Sequence, residues 1–214
     1  MVSHERIYQL IYEDKAKGGK LYKHLRGGNK KYKKRYGKHK NRRIIIKNKV
    51  SIDERPSIIN NKERFGDWEI DTIVGKNHKG AIVTIIERKS KFILMRKLNT
   101  KNAKHLAKQT IRLLAPYKDL VHSITSDNGS EFAEHEYIAK KLDAKFYFAH
   151  PYSSWERGLN EYSNKLIRQY IPKKSDFDDF SNKYISEINL KLNNRPRKLL
   201  NFKNPNELFF NNFL

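Results

Sequence analysis

The chain has 214 residues, enough for one domain of ordinary size plus an extension. Lysine and arginine number 46 against 23 acidic residues, so the formal net charge is +23, which points to a polyanion such as nucleic acid as the partner. The absence of cysteine excludes disulfides and cysteine-based zinc sites. No apolar run approaches the roughly 18 residues of a membrane-spanning helix, and the first residues are too polar for a secretory signal, so we expect a cytoplasmic protein without a membrane partner.

The first predicted element is a short helix, which Ser3 is placed to cap and which continues to about Asp14. A lysine- and arginine-rich run, residues 15–49, follows it and contains little that can be buried. We expect this run to be extended without a partner. A solvated linker is the alternative, but the charge density favours contact with phosphates. The residues expected to make that contact are Lys30, Lys31, Lys33, Lys34, Arg35, Arg42 and Arg43.

The pattern changes to that of a folded domain after residue 55. We therefore divide the chain into a basic DNA-binding extension or linker, residues 1–55, and a domain of residues 56–214. Three strands are predicted close together, at 66–74, 81–86 and 91–98, and the second is nearly all apolar, as in a strand buried on both faces. The helical spacing of apolar residues then predicts an amphipathic helix over 103–114.

Strands and helices alternate in the second half. A strand over 121–126 is followed by a short helix over 134–142 and a strand over 145–149. Two helices follow, over 157–170 and from 176 to about 193. The order β-β-β-α-β-α-β-α-α predicts an α/β domain with a mixed, five-stranded sheet that helices flank on both faces.

Asp71 is the first candidate for a functional acid. It lies within the first strand, in GDWEIDTIVG, where aspartate is uncommon. Strand alternation puts Asp67, Glu69 and Asp71 on one face and does not separate them. An ordinary solvent-facing position at a sheet edge is the alternative.

Asp127 is the second candidate, in SITSDNGSEF, where an apolar strand ends. The ends of strands are where α/β folds place ligands. The Asn-Gly pair that follows is a turn signal, so an ordinary role in a turn is the alternative. Glu131, four residues further on, is the local competitor.

Glu161 is the third candidate, on the helix predicted over 157–170. It shares a helical face with Asn164, Lys165 and Arg168, which would suit a metal ion on one side and DNA phosphates on the other. A solvated face with an ion pair is the alternative, and Glu156 in the preceding loop is the competitor.

Three carboxylates on core elements would suit hard divalent cations such as Mg²⁺. Two such ions about 4 Å apart can activate a water molecule and neutralise the leaving oxygen when a phosphodiester is cut. The residues alone leave the choice among the competing acids open.

The blocks GDWEIDTIVG, TSDNGSEF and HPYSSWERGLNEYSNKLIRQYIPK resemble those of the DDE transposases of the insertion-sequence-thirty family. The 33 residues between Asp127 and Glu161 match the spacing of that family, and Arg168 matches the basic residue that DDE integrases place seven after the glutamate. The resemblance covers residues 52–210, and residues 2–26 are similar to the segment just upstream. It implies a ribonuclease-H-like fold of the retroviral-integrase type, and it selects Asp71 over its neighbours, as it selects Asp127 and Glu161 over theirs.

By this resemblance, the chain is a Mg²⁺-dependent transposase that cuts transposon ends and joins them to target DNA. The three carboxylates would hold two Mg²⁺ ions, for which Mn²⁺ can substitute, while Asn164, Lys165 and Arg168 would contact phosphates. The implied partners are double-stranded DNA, as transposon ends and as target, and further copies of the chain in a homodimer or larger assembly. The expected location is the nucleoid in the bacterial cytoplasm.

Members of this family usually begin with a helix-turn-helix region that reads the transposon ends, and this sequence starts close to its tail. The alternative function is therefore a truncated, non-catalytic DNA-binding remnant that regulates or inhibits full-length transposase. A simple nuclease of the same fold would cleave but never join. A tyrosine recombinase is disfavoured, because the only His-x-x-Arg is His39–Arg42, in the basic run, and no tyrosine follows Tyr184.

Overall fold

A computed structural model describes residues 2–24, 46–100 and 102–211, and the chain divides into two units, residues 1–42 and 43–214. In the first unit, helix α1, His4–Ala16, begins where the Ser3 hydroxyl accepts a hydrogen bond from the Arg6 N–H at 3.3 Å, so the predicted helix is confirmed. The basic residues expected to contact DNA lie outside the described residues, namely Lys30, Lys31, Lys33, Lys34, Arg35, Arg42 and Arg43.

The second unit is built on one six-stranded sheet in the order β1-β6-β5-β2-β3-β4. Strands β2, β3 and β4 form an antiparallel meander, whereas β1, β6, β5 and β2 run parallel. The mixed sheet is therefore confirmed. The strands are β1 Val50–Ser51, β2 Asp67–Val74, β3 Ala81–Glu87, β4 Ile93–Leu98, β5 Ser123–Ser126 and β6 Lys145–Phe148.

Helices cover both faces of this sheet, as predicted. Trp68 and Ile70 of β2 belong to a core on one face with residues of α3, α4 and α7, whereas Ile73 belongs to a core on the other face with residues of α5 and α6. None of the helices in the described stretches is long and apolar enough to cross a bilayer. The helices of this unit are α2 Ser57–Asn60, α3 Ala103–Leu114, α4 His135–Leu142, α5 Gly158–Ile167, α6 Asn182–Asn193 and α7 Pro205–Phe210.

The sheet has one strand more than the five predicted. The additional strand, β1, is two residues long and pairs in parallel with β6. So short a strand has no alternation of apolar and polar residues that a sequence pattern could reveal. It comes from the stretch assigned to the extension, and the division of the chain at residue 55 stays a prediction.

The helix predicted from 176 to 193 is instead two segments. The Asp176 carboxylate caps a 3₁₀ turn, Phe177–Asp179, and the Ser181 hydroxyl accepts a hydrogen bond from the Tyr184 N–H at 3.1 Å to start α6. Each capping side chain accepts one of the free N–H groups at its own helix start, so the chain begins two helices rather than one. The short helix α7 was not predicted.

A buried ion pair ties β2 to the turn after β3. The side chains of Glu69 and Arg88 are 1% and 4% exposed, and they are paired. Glu69 also accepts the Asn160 N–H at 3.3 Å, and Arg88 donates to the Ile59 carbonyl at 3.2 Å. Burial raises the pKa of Glu69, and the charge of Arg88 opposes that rise. The carboxylate therefore depends on its guanidinium partner to stay ionised.

Replacement of Arg88 by Met should lower the free energy of unfolding by about 3–5 kcal/mol, because Glu69 is then buried without its counter-ion. The double variant Glu69→Leu/Arg88→Met should regain much of this loss, because apolar side chains need no counter-charge. Urea denaturation measures both. The control is Arg112→Met, at an exposed position on α3, which should change stability by no more than about 0.5 kcal/mol. A loss of under about 1 kcal/mol in Arg88→Met would contradict the assignment.

Candidate active site

Asp71 and Asp127 meet because β2 and β5 are parallel neighbours. Glu69 pairs with Thr125 in the register of these strands, so residue 71 lies level with residue 127, two positions further along each. Asp71 is still within β2, whereas Asp127 directly follows β5. Their side chains are 19% and 40% exposed. Both carboxylates thus lie at the rim of the sheet, where a ligand from solvent can reach them.

The guanidinium of Arg157 joins these two carboxylates. Its Nη2 donates to Asp127 Oδ2 at 3.0 Å, and its Nη1 lies 3.4 Å from Asp71 Oδ1. Nη1 also donates to the Ile70 carbonyl at 3.3 Å. Arg157 directly precedes α5, and its side chain is only 11% exposed. One cation is therefore shared by the two predicted metal ligands.

The other oxygen of each aspartate is fixed by a neutral donor. The Asn164 side-chain amide of α5 donates to Asp71 Oδ2 at 2.8 Å, and the Gly129 N–H donates to Asp127 Oδ1 at 2.8 Å. Burial raises the pKa of Asp71, as does the nearby charge of Asp127, while Arg157 and Asn164 act in the opposite direction. The contact from Asn164 also holds the C-terminal half of α5 against β2.

Glu161 is not brought to this pair. Its carboxylate is 55% exposed and lies 3.0 Å from Lys165 Nζ, one turn further along α5. The described residues contain no group of three His, Cys, Asp or Glu side chains that could hold a metal ion. Residues three apart share a helical face, so Glu161 starts from the same face as Asn164, which does contact Asp71.

The predicted phosphate contacts are partly engaged with the protein itself. Asn164 binds Asp71 as described, and Lys165 binds Glu161 while remaining exposed. Arg168 donates to the carbonyls of Pro172 at 3.0 Å and Val74 at 3.3 Å, and burial lowers its pKa. Arg168 thus connects the end of α5 to the end of β2, and the DNA contacts of all three residues stay predictions.

The competing acids all have protein partners. Asp67 is fully buried and accepts hydrogen bonds from Ser123 Oγ at 2.6 Å and from Arg64. Glu69 forms the buried pair with Arg88, Glu131 is buried and accepts a hydrogen bond from Thr72 Oγ1 at 2.8 Å, and Glu156 binds His150. The burial of Asp67, Glu69 and Glu131 favours Asp71 and Asp127 as the acids of these two segments that a ligand can reach.

The sequence patterns did not predict a role for His150 or for Arg157. The His150 imidazole lies 2.7 Å from Glu156 Oε1 and 2.9 Å from Asp53 Oδ2, and both carboxylates raise its pKa. It therefore connects the loop before α5 to the turn after β1. Their positions in the sequence could have indicated such a role, because both residues lie in the block that carries Glu161, and Arg157 is four residues before Glu161.

The donor chemistry of the aspartate pair fits a hard divalent cation. The two inward oxygens, Asp71 Oδ1 and Asp127 Oδ2, already face one positive charge. Carboxylate oxygens are the ligands that Mg²⁺ prefers in proteins. Glu161, the third predicted ligand, is paired with Lys165 in this structure, and its metal role stays a prediction.

Comparisons with known proteins show the family to which the chain belongs. Residues 61–154 match the family model of the integrase core domain. The chain is 57% identical over 209 residues to the transposase for insertion sequence element IS4351 of Bacteroides fragilis, an alignment that covers 98% of this chain and 64% of the relative. It is 34% identical over 215 residues to transposase InsI for insertion sequence element IS30A of Escherichia coli (strain K12), which covers 97% of this chain and 55% of the relative.

A third relative is the probable transposase for insertion-like sequence element IS1161 of Streptococcus salivarius, 37% identical over 161 residues, with 74% of this chain and 46% of the relative covered. The chain thus spans about half to nearly two thirds of the length of these relatives. The catalytic core domain of BIV integrase shares the fold, with a TM-score of 0.54 at 20% identity over 69% of this chain and 95% of that one. We therefore identify the chain as a homologue of the IS30-family transposases that carries an integrase core domain of the ribonuclease-H-like fold.

Proposed function

We propose that this chain is the catalytic part of a DNA transposase, which cuts transposon ends and transfers the freed 3′ ends into target DNA. The observation that carries the proposal is the pair of carboxylates, Asp71 and Asp127, which lie level with each other on the parallel neighbours β2 and β5 and share one cation. Asp71, Asp127 and Glu161 would hold two Mg²⁺ ions, or Mn²⁺ in their place. When bound, such ions supply a water molecule of lowered pKa and neutralise charge on the leaving oxygen.

The protein's own contribution is to keep the carboxylates in place. Asn164 and the Gly129 N–H each fix one aspartate oxygen, which leaves the opposite oxygen of each for a cation. Glu161 would have to exchange Lys165 for the aspartate pair. An exposed i,i+4 ion pair is worth only about 0.3–0.5 kcal/mol, so this exchange opposes metal binding weakly.

Double-stranded DNA is the proposed substrate, as transposon ends and as target. The net charge of +23 favours its phosphates, with residues 1–55 as the basic extension and residues 56–214 as the catalytic core. Lys165 and Arg168 would contact phosphates beside the site, and such contacts position DNA without reading its sequence. Because two transposon ends need two active sites, we propose a homodimer or larger assembly on DNA, at the nucleoid in the bacterial cytoplasm. No observation on the described residues favours the non-catalytic remnant.

The variants Asp71→Asn, Asp127→Asn and Glu161→Gln should each reduce strand transfer at least about 100-fold, because metal ions contribute several kcal/mol to such reactions and each 1.4 kcal/mol is a factor of ten. The measurement is the joined product formed from pre-cleaved ends with Mg²⁺ or Mn²⁺. Asp143→Asn is the matched control: it removes the same charge at an exposed position with φ of 53°, which asparagine tolerates.

Normal activity in Asp127→Asn would show that the site is assigned wrongly. Cleavage without joining by the unaltered chain would identify a simple nuclease, and DNA binding without metal-dependent nicking would identify a non-catalytic remnant.

Glutamine in place of Lys30, Lys31, Lys33, Lys34 and Arg35 should weaken DNA binding and lower the slope of log affinity against log salt by up to about 4.5, because each phosphate contact contributes about 0.9. Binding titrations at several salt concentrations measure the slope. A matched variant replaces five exposed lysines of the core, Lys104, Lys108, Lys118, Lys140 and Lys141. Equal slopes in the two variants would show that DNA binding depends on the net charge of the chain and not on residues 30–35, which would contradict the prediction.

The contacts of His150 should make the loop before α5 sensitive to pH. The pKa of His150 is raised from 6.5 and that of Asp53 is lowered from 3.8. Their contact therefore contributes fully to stability between pH 3.8 and pH 6.5. It is lost as the pH rises through the raised pKa of His150, and also as the pH falls through the lowered pKa of Asp53. Limited proteolysis of the loop should therefore quicken at alkaline pH in the unaltered chain. His150→Gln should be cleaved at one rate from mildly acidic to alkaline pH, and a parallel pH dependence in that variant would contradict the assignment.

A further inference from the structure

Arg157 lies between the two aspartates but does not use all of its hydrogen-bonding groups there. It gives each carboxylate a single contact, 3.0 Å to Asp127 and 3.4 Å to Asp71. Strong arginine–carboxylate pairs form two parallel hydrogen bonds of about 2.7–2.9 Å. The Nε of Arg157 is buried and has no hydrogen-bond partner among the described residues. The guanidinium therefore binds this pair less well than its chemistry allows.

The oxygens that Arg157 contacts are the ones that a bridging metal ion would need. Asp71 Oδ2 accepts from Asn164, and Asp127 Oδ1 accepts from the Gly129 N–H. The remaining oxygens, Asp71 Oδ1 and Asp127 Oδ2, both face Arg157. A cation that binds these two oxygens would therefore compete with the guanidinium for them.

The charges favour the divalent ion in this competition. Arg157 brings one positive charge to two carboxylates, whereas Mg²⁺ brings two and approaches oxygen to about 2.1 Å. Coulomb attraction rises with charge and falls with distance. Arg157 ends a 3₁₀ turn, Ser154–Arg157, directly before α5, and its side chain can leave the aspartates by rotation about its own bonds alone.

We propose that Arg157 is an internal counter-ion that holds Asp71 and Asp127 together before a metal ion arrives, and that the divalent cation displaces it. The inference rests on the proposed function, because it takes the two aspartates as metal ligands. Arg157 is in this sense a positioning residue. It offsets the repulsion between two adjacent carboxylates, and it raises the concentration of metal ion that is needed to fill the site.

The experiment is a calorimetric titration of the protein with Mn²⁺ at mildly alkaline pH. Arg157→Gln should bind Mn²⁺ at least about tenfold more tightly than the unaltered chain, because hydrogen bonds to charged groups are worth about that factor or more. Arg157→Lys, which keeps the charge but cannot bridge two carboxylates with a planar fork, should bind with intermediate affinity. Arg112→Gln removes the same charge from α3, on the opposite face of the sheet, and should leave the affinity unchanged.

Equal or weaker Mn²⁺ binding by Arg157→Gln would overturn the inference, as would equal tightening by Arg112→Gln. Melting temperatures give a second readout. Without metal, Arg157→Gln should melt below the unaltered chain because its aspartates repel each other, and Mn²⁺ should raise its melting temperature by more. If Arg157→Gln does not fold, Arg157→Lys decides, and an affinity equal to that of the unaltered chain overturns the inference.

Asp127→Asn separates this inference from the proposed function. If Asp127→Asn binds Mn²⁺ as the unaltered chain does, the metal site itself is assigned wrongly. If it loses Mn²⁺ binding while Arg157→Gln gains none, the metal site stands and only the role of Arg157 is refuted.

Discussion

The parallel pairing of β2 with β5 is the constraint on which the candidate site depends. It places residue 71 level with residue 127, and a shift of one residue would turn every side chain of β2 to the opposite face. Buried polar contacts help to fix the register. Ser123 Oγ donates to Asp67 at 2.6 Å across the two strands, and Arg55 donates to Thr125 Oγ1 at 3.1 Å. Asp67, at the start of β2, therefore helps to hold Asp71, further along the same face, in place.

Each acid on one face of β2 has an arginine partner. Asp67 has Arg64, Glu69 has Arg88, and Asp71 shares Arg157 with Asp127. Only at this last step do two carboxylates face a single cation, and only there is the face open to solvent. Two negative charges thus share one positive charge at this position, an arrangement that would suit a divalent ion.

Periodicity predicted the elements that bury an apolar face, and the family-like blocks selected the three acids. The contact between Arg157 and the aspartates could not be predicted in this way, because it depends on the register of two strands more than fifty residues apart. The position of the Glu161 carboxylate depends on a choice between Lys165 and the aspartates, which spacing along a helix does not decide. By contrast, the two caps, Asp176 and Ser181, were visible in the sequence, and reading them would have divided the last helix correctly.

The edge of the sheet at β4 limits how copies of the chain can associate. Among the described residues, β4 pairs with one strand, β3, and the Asn193 side chain of α6 binds the N–H and the carbonyl of Ile93 in β4. The rest of such an edge can pair with a second molecule. Arg96 and Lys97 lie side by side on it. Their side chains extend to opposite faces of the sheet, and Lys97 is paired with Asp178 at 3.4 Å. Charged side chains on an edge strand oppose pairing with another chain. Growth of a continuous intermolecular sheet through β4 is thus opposed.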